Sequence, residues 1–125
     1  MDQYFEGLGT IAITVCDAKG NILDMNQHSA DVNSHGHKII NNNLLDCHPE
    51  PARTKLIGLL TQQASNIYTI EKTLPTGQKV KKLIYQTPWQ QADGSFGGLV
   101  ELSLEVPFDM PHYVRPPKPS NGSPQ

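Results

Sequence analysis

The sequence lacks the features by which several classes of protein are recognised. It has two cysteines, Cys16 and Cys47, too few for the disulfide framework of a small secreted domain. No apolar run approaches the roughly 20 residues that cross a bilayer. A net charge of −2 gives no basic excess for nucleic acid or a membrane surface. We therefore expect a globular chain with neither nucleic acid nor membrane as partner.

The length and the N-terminus narrow the class further. A chain of 125 residues fits one compact domain with a single core. Residues 1–6 are acidic and contain no apolar signal core, which predicts a cytoplasmic location. Cys16 ends an apolar segment, so we expect a small buried core residue rather than a redox group.

The first half of the sequence predicts two strands followed by a short helix. Residues 11–16 are apolar, and residues 22–25 return as a second strand after a tight turn. Asn26 is placed to cap a helix that ends near residue 34. Ahead of the first strand, residues 1–9 predict a helical turn with an apolar side formed by Tyr4, Phe5 and Leu8.

The second half predicts the longest helix and three strands. Pro49 suits the first turn of that helix, and Asn66 is a plausible end. Alternating residues then predict strands that are joined by hairpin loops and cover residues 68–73, 80–89 and 99–106. In the last strand, one apolar face is expected to be buried, and its residues are Val100, Leu102, Leu104 and Val106.

The composition changes after the last strand. Six of the ten prolines lie from Pro107 onward, which predicts a Pro-rich flexible tail over residues 107–125. A proline-rich ligand for a partner domain is the alternative for this tail. Residues 1–8 are then a cap segment, and residues 9–106 are the domain.

Several short motifs, in this order, resemble the PAS domain family of sensor modules. They are Asp17-Ala18-Lys19-Gly20-Asn21-Ile22, Asn26, Gly36 to Leu45, Leu45-Asp46-Cys47-His48-Pro49, Thr76-Gly77-Gln78, and Asp93-Gly94-Ser95-Phe96-Gly97-Gly98. The family's usual continuation, Asp-Ile-Thr leading to an output helix, is replaced by residues 106–111. That departure argues against direct coupling to a fused kinase or cyclase.

The resemblance implies a fold and a class of function. The fold is α+β, a PAS-like five-stranded antiparallel sheet with helices packed on one face. The cavity between sheet and helices can hold a small molecule in such domains, and members commonly self-associate. Fold alone does not determine the ligand.

Cys47 and His48 are the residues most suited to chemistry. A thiol near a helix N-terminus can become acidic, which makes a small thiol-dependent enzyme using Cys47 one alternative. His48 as an axial haem ligand is another. Neighbouring side chains in an extended segment point apart, and no third orienting residue is identifiable. We therefore expect no enzyme activity, no catalytic residue and no cofactor.

Two clusters of basic residues leave alternatives open. The chain has five histidines, and His28, His35 and His37 lie close in sequence, but their spacing matches no standard zinc pattern. We therefore expect no metal. Lysines gather on one hairpin, either as a patch for an acidic partner or as a solvated sheet face. They are Lys72, Lys79, Lys81 and Lys82.

These observations predict a non-enzymatic sensory or interaction domain. It binds a small, largely apolar ligand between the sheet and the long helix, and it signals through a homodimer interface or a separate signalling protein. The pocket candidates are Leu45, Cys47, His48, Leu56, Leu60, Leu83, Tyr85 and Leu102. The sheet face of Leu83 and Tyr85 is left open, because Val80 and Ile84 compete for it. A packed domain without any ligand, which only binds another protein, is a further alternative.

Overall fold

A computed structural model describes residues 1–120 of the chain. Three α-helices and five strands follow one another in the order that the sequence predicts, and a 3-10 helix that the sequence does not predict precedes the longest helix. In chain order they are α1 (Gln3–Glu6), β1 (Ile11–Asp17), β2 (Ile22–Met25), α2 (Gln27–Asn33), the 3-10 helix (Leu44–Cys47), α3 (Ala52–Gln62), β3 (Asn66–Thr73), β4 (Lys79–Gln90) and β5 (Phe96–Val106).

The five strands form one antiparallel sheet in the order β2-β1-β5-β4-β3. Short turns join β1 to β2, β3 to β4 and β4 to β5, so neighbours in sequence pair locally. The pairing of β1 with β5 joins the two ends of the domain and places both strands at the centre. The predicted α+β fold with a five-stranded antiparallel sheet is confirmed.

The hydrophobic core lies between one face of this sheet, called here the inner face, and the helices α2 and α3. Cys16 and Leu99 contribute to it from the two central strands. The remaining buried members come from β2, the helices and the 3-10 helix: Ile22, Met25, Ala30, Leu44, Leu56 and Leu59. Cys16 is completely buried, as a small core residue would be.

Strand alternation and register then assign the other residues to the two faces. Thr14 and Glu101 are paired and share the inner face with Cys16 and Leu99. Their neighbours point to the opposite face, called here the outer face. Its members on the three central strands are largely apolar: Ile13, Val15, Leu83, Tyr85, Val100, Leu102 and Leu104. The apolar set of β5 therefore points away from α2 and α3.

The long helix begins at Ala52 rather than at Pro49 and ends at Gln62 rather than near Asn66. Pro51 is the N-cap, and a residue that precedes a proline is disfavoured in helical geometry, which keeps Glu50 out of the helix. At the other end, Gln63 adopts left-handed backbone angles, φ 54° and ψ 48°, and ends the helix.

The last strand ends at Val106, and residues 107–120 contain no helix or strand. Residues 121–125 of the predicted tail lie outside the described residues. The flexibility of the tail and the division into a cap segment, a domain and a tail stay predictions. No helix within residues 1–120 is long and apolar enough to cross a membrane.

Gly98 lies where β5 packs tightly against the backbone of β1. Its φ is +149°, which favours glycine, and a Cβ atom there would lie 2.0 Å from the carbonyl oxygen of Cys16. That same oxygen accepts a hydrogen bond from the indole N–H of Trp89 at 2.9 Å. The close contact of the central strands therefore requires a residue without a side chain.

We expect Gly98→Ala to lower the free energy of unfolding by about 2–4 kcal/mol, because the methyl group overlaps the backbone of β1. Urea denaturation of the full chain measures this change. Gly58→Ala is the matched control, since Gly58 lies inside α3 with nothing within 4 Å of the added atom. It should stabilise the protein by about 0.5–1 kcal/mol. Equal stability of Gly98→Ala and the parent would contradict the described β1–β5 contact.

Candidate functional site

A cavity of about 150 Å³ opens between the central strands, β2, α2 and the 3-10 helix. Its walls combine aliphatic residues with polar ones. The lining residues are Thr14, Ile22, Met25, Asn33, Ile39, Leu44, Cys47, His48 and Glu101. Pockets for drug-sized ligands have about 300–1,000 Å³, so this cavity suits only a small molecule.

His48 enters the cavity from the end of the 3-10 helix. The Asn43 side chain caps that helix by accepting from the backbone N–H of Leu45 at 2.8 Å. His48 is the C-cap, and its Nδ1 donates to the carbonyl oxygen of Leu44 at 2.8 Å. Because a carbonyl can only accept, this bond places a proton on Nδ1 and leaves Nε2 facing the cavity wall.

Glu101 lies opposite His48 in the middle of β5. Its Oε2 is 3.6 Å from Nε2 of His48 and accepts a hydrogen bond from Nε2 of Gln86 at 2.8 Å. The Oε1 of Gln86 in turn accepts from Nδ2 of Asn66 at 3.2 Å. The Glu101 side chain is only 17% exposed. A series of interacting polar side chains therefore crosses the inner face from β3 to the end of the 3-10 helix.

The two charged groups of the pair shift each other's pKa. The nearby Glu101 carboxylate raises the pKa of His48 above its ordinary value; burial opposes this rise, and the Leu44 carbonyl supports it. Burial alone would raise the pKa of Glu101, but His48 and Gln86 together hold that pKa below its ordinary value. The pair therefore favours a protonated imidazole beside an ionised carboxylate. A separation of 3.6 Å makes it an ion pair rather than a well-formed hydrogen bond.

Hydroxyl and amide groups complete the polar wall. The Thr14 and Ser29 hydroxyls are hydrogen-bonded to each other at 2.5 Å, and both residues are buried. Nδ2 of Asn33 donates to the Ser29 hydroxyl at 3.2 Å. These contacts connect α2 to β1 and orient the side chains of Thr14 and Asn33 beside Glu101.

Cys47 lines the same cavity without the surroundings of a reactive thiol. Its Sγ lies 3.7 Å from the carbonyl oxygen of Asn43. Burial, with a smaller contribution from the Asp46 carboxylate, raises the pKa of the Cys47 thiol. A raised pKa keeps sulfur protonated near neutral pH, whereas a nucleophile needs the thiolate.

The remaining pocket candidates are not gathered at this cavity. Leu56 is in the core, and Leu45 and Leu60 pack against it. Leu83, Tyr85 and Leu102 lie on the outer face, where Tyr85 pairs with Leu102 in register. Of the eight candidates, Cys47 and His48 therefore line the cavity, while three lie across the sheet from it.

Sequence reasoning missed Glu101, Thr14 and Asn33. Glu101 occupies a polar position in the alternation of β5 and so resembles a solvated residue. No local sequence pattern identifies Glu101 as a site residue, because its partners Gln86 and His48 come from other elements of the fold. Within residues 1–120, no group of three His, Cys, Asp or Glu side chains is arranged to hold a metal ion.

Comparison with known proteins finds likeness only in structure. No protein-family model and no curated protein matches this sequence. The PAS domain of BvgS from Bordetella pertussis superposes with a TM-score of 0.62 at 14% identity, over 85% of this chain and 83% of that chain. A PAS domain from Colwellia psychrerythraea gives a TM-score of 0.58 at 17% identity, over 83% and 92%.

The VqmA dimer from Vibrio cholerae is also similar, with a TM-score of 0.63 and 12% identity. The match covers 83% of this chain and 50% of VqmA, so the chain spans about half of that protein. VqmA also matches as a complex described as bound to DPO. At these identities the likeness shows the fold, and this chain has the fold of a PAS domain.

Proposed function

We propose that this chain is a non-enzymatic sensory module that binds a small polar molecule in the His48–Glu101 cavity. The observation that carries the proposal is that only one of the two carboxylate oxygens of Glu101 has partners in the described part of the protein. Its Oε2 is held by Gln86 and His48, whereas Oε1 has no hydrogen-bond partner among residues 1–120. A ligand that donates a hydrogen bond would satisfy Oε1, and Thr14 and Asn33 supply further polar contacts.

The residues that line the cavity support a narrower class of ligand than the sequence predicts. A largely apolar ligand would desolvate Oε1 of Glu101 and leave it without a hydrogen-bond partner, which is costly in a confined site. Both ring nitrogens of His48 already face partners, and 150 Å³ is too small for a porphyrin. The proposal therefore includes no haem. VqmA, of which the match covers 55%, is described as bound to DPO, and this supports ligand binding as part of the proposal.

The outer face is proposed as the surface that transmits the signal. A groove of about 380 Å³ separates α1 from the sheet, and mainly apolar side chains line it. Among them are Phe5, Ile13, Val15, Val100 and Leu102. Phe5 is 52% exposed, and Tyr4 beside it is 75% exposed. Exposed apolar surface of this kind favours association, and we propose a second copy of the chain as the occupant. The VqmA dimer supports this choice.

The ligand proposal predicts a result for the conservative variant Glu101→Gln. Small amines, amides and alcohols should raise the melting temperature of the parent, whereas apolar compounds of the same size should not. Glu101→Gln keeps the shape but removes the charge, so the gain from amines should fall at least about tenfold in apparent affinity. Thermal shift assays and native mass spectrometry of the full chain measure both effects.

Glu71→Gln, on an exposed position of β3, is the control and should bind as the parent does. Binding of apolar compounds alone, or unchanged binding of amines by Glu101→Gln, would overturn the proposed ligand class. No retained mass and no shift with any compound would favour a module that only binds protein.

The ion pair predicts a pH-dependent stability that His48→Gln removes. Because folding raises the pKa of His48, protonated His48 stabilises the fold. This contribution is complete at pH values below 6.5, the ordinary pKa, and is lost as pH rises through the pKa of His48 in the folded protein. Because folding lowers the pKa of Glu101, ionised Glu101 also stabilises the fold. This contribution is complete at pH values above 4.5, the ordinary pKa, and is lost as pH falls through the pKa of Glu101 in the folded protein. Between these values, His48→Gln should cost about 1–2 kcal/mol.

Urea midpoints measured from mildly acidic to mildly alkaline pH test this expectation. The cost of His48→Gln should shrink as pH rises through the folded pKa of His48. His37→Gln, which changes an exposed histidine, is the control. A cost that does not vary with pH would argue against the described ion pair.

The dimer proposal predicts a concentration-dependent dimer that Phe5→Glu weakens. A charge in the apolar groove must be desolvated in the interface, so the dissociation constant should rise by at least about tenfold. Ile57→Glu is the control, because Ile57 is also apolar and 38% exposed but lies on α3. Light scattering over a range of concentrations measures the change. A monomeric parent, or equal weakening by both variants, would contradict the proposed surface.

A further inference from the structure

A second cavity of about 290 Å³ lies on the inner face, beside α2 and the start of β1. It shares no lining residue with the His48–Glu101 cavity. Most of its side chains are polar or charged. They are Thr10, His28, Lys82, Ser103 and Glu105. The other lining residues are Val32 on α2, Gly9, and Leu104, which belongs to the outer face but also borders this cavity.

Lys82 and Glu105 carry opposite charges at the edge of this cavity. They are direct partners in the register of β4 and β5, and both point to the inner face. Residues 1–120 nevertheless contain no ion pair within 4.0 Å between them, whereas Lys38 and Glu6 meet at 2.6 Å. Two opposite charges are thus available side by side without neutralising each other directly.

The surroundings of Lys82 favour an added anion. Burial lowers the pKa of Lys82, and the nearby Lys72 lowers it further, while Glu105 acts in the opposite direction. The ammonium group is therefore less well stabilised than one in water. A carboxylate within a few ångströms would restore that stabilisation through a charge-assisted hydrogen bond.

We propose that this second cavity binds a small zwitterion of the α-amino-acid type. Lys82 holds the carboxylate and Glu105 holds the ammonium group. The hydroxyls of Thr10 and Ser103 lie in the same lining and supply hydrogen bonds to the carboxylate. Val32 contacts a short aliphatic body. The volume of 290 Å³ accommodates a molecule of that size, and neither charge alone is sufficient for recognition.

Three probes of similar shape separate the two charges. L-valine carries both, isovalerate carries only the carboxylate, and isobutylamine carries only the amine. In a titration of the full chain followed by amide nitrogen–proton NMR, L-valine should saturate below about 10 mM. It should shift the amides of Thr10, Val32 and Ser103. Isovalerate and isobutylamine should each bind at least about tenfold more weakly.

Matched variants assign the contacts. Lys82→Met and Glu105→Gln keep length and shape while removing one charge each, so each should weaken L-valine binding at least about tenfold. Lys79→Met and Glu71→Gln, which change exposed charges on the outer face, should bind as the parent does. Folding of every variant is checked by its NMR spectrum without ligand.

Three results would overturn the inference: no saturable shift with L-valine, isovalerate binding as tightly as L-valine, or Lys82→Met binding L-valine as tightly as Lys79→Met does. Amide shifts confined to the residues around His48 would also overturn it, because the ligand would then occupy the first cavity. Since the two cavities share no residue, failure here leaves the proposed function of the His48–Glu101 cavity untouched, and the reverse also holds.

Discussion

The buried amide of Asn26 fixes the positions of three elements at once. Its Oδ1 accepts from the backbone N–H of Ile13 at 3.0 Å and from that of Ser29 at 2.9 Å. Its Nδ2 donates to the carbonyl oxygens of Phe5 at 2.9 Å and Ile11 at 2.8 Å. Asn26 is completely buried, and these four bonds use its full hydrogen-bonding capacity. One side chain therefore ties α1 and α2 to the central strand β1, and a residue without the amide would leave buried backbone groups unpaired.

The site depends on this anchoring. With α2 held against β1, Ser29 meets Thr14 and Asn33 reaches the cavity wall. The inner face can then carry Glu101 close to the core, because Gln86 and His48 supply the partners that a buried carboxylate requires. As a consequence, polar side chains of the sheet such as Gln86 and Glu101 point toward the helices, while many of its apolar side chains lie on the outer face.

The order of elements could be predicted because it rests on local signals. The turn at Asp17 and Gly20, the cap at Asn26 and the alternating strands each depend on a few neighbouring residues. The choice of sheet face could not be made in this way. On β5, both Leu99 and Leu102 are apolar, so alternation alone does not say which set is inside. Register with β1 decides it by placing Leu99 beside the buried Cys16.

The candidate site was only half predictable for the same reason. Cys47 and His48 are conspicuous as a dipeptide before a proline. Glu101 can be recognised as a site residue only from its contacts with partners that are distant in sequence. Gln86 lies on another strand, and His48 lies at the end of a helix that the sequence does not specify clearly. The sequence predicts Leu83, Tyr85 and Leu102 as pocket residues facing the long helix because such pockets are usually mostly apolar, and it leaves the sheet face of Leu83 and Tyr85 open. Here that position is taken by polar residues that hydrogen-bond to one another, with Oε1 of Glu101 left over.

The two faces of β5 connect the proposed ligand to the proposed dimer surface. Glu101 points to the cavity, while its direct neighbours Val100 and Leu102 line the outer groove. Because successive residues of a strand point to opposite faces, a displacement of Glu101 also displaces the apolar side chains on either side of it. A ligand that binds the Glu101 carboxylate can thus alter the outer surface through the backbone of one strand. This coupling needs a second arrangement of β5 that the ligand favours, since a ligand shifts an equilibrium only by its difference in affinity for two states.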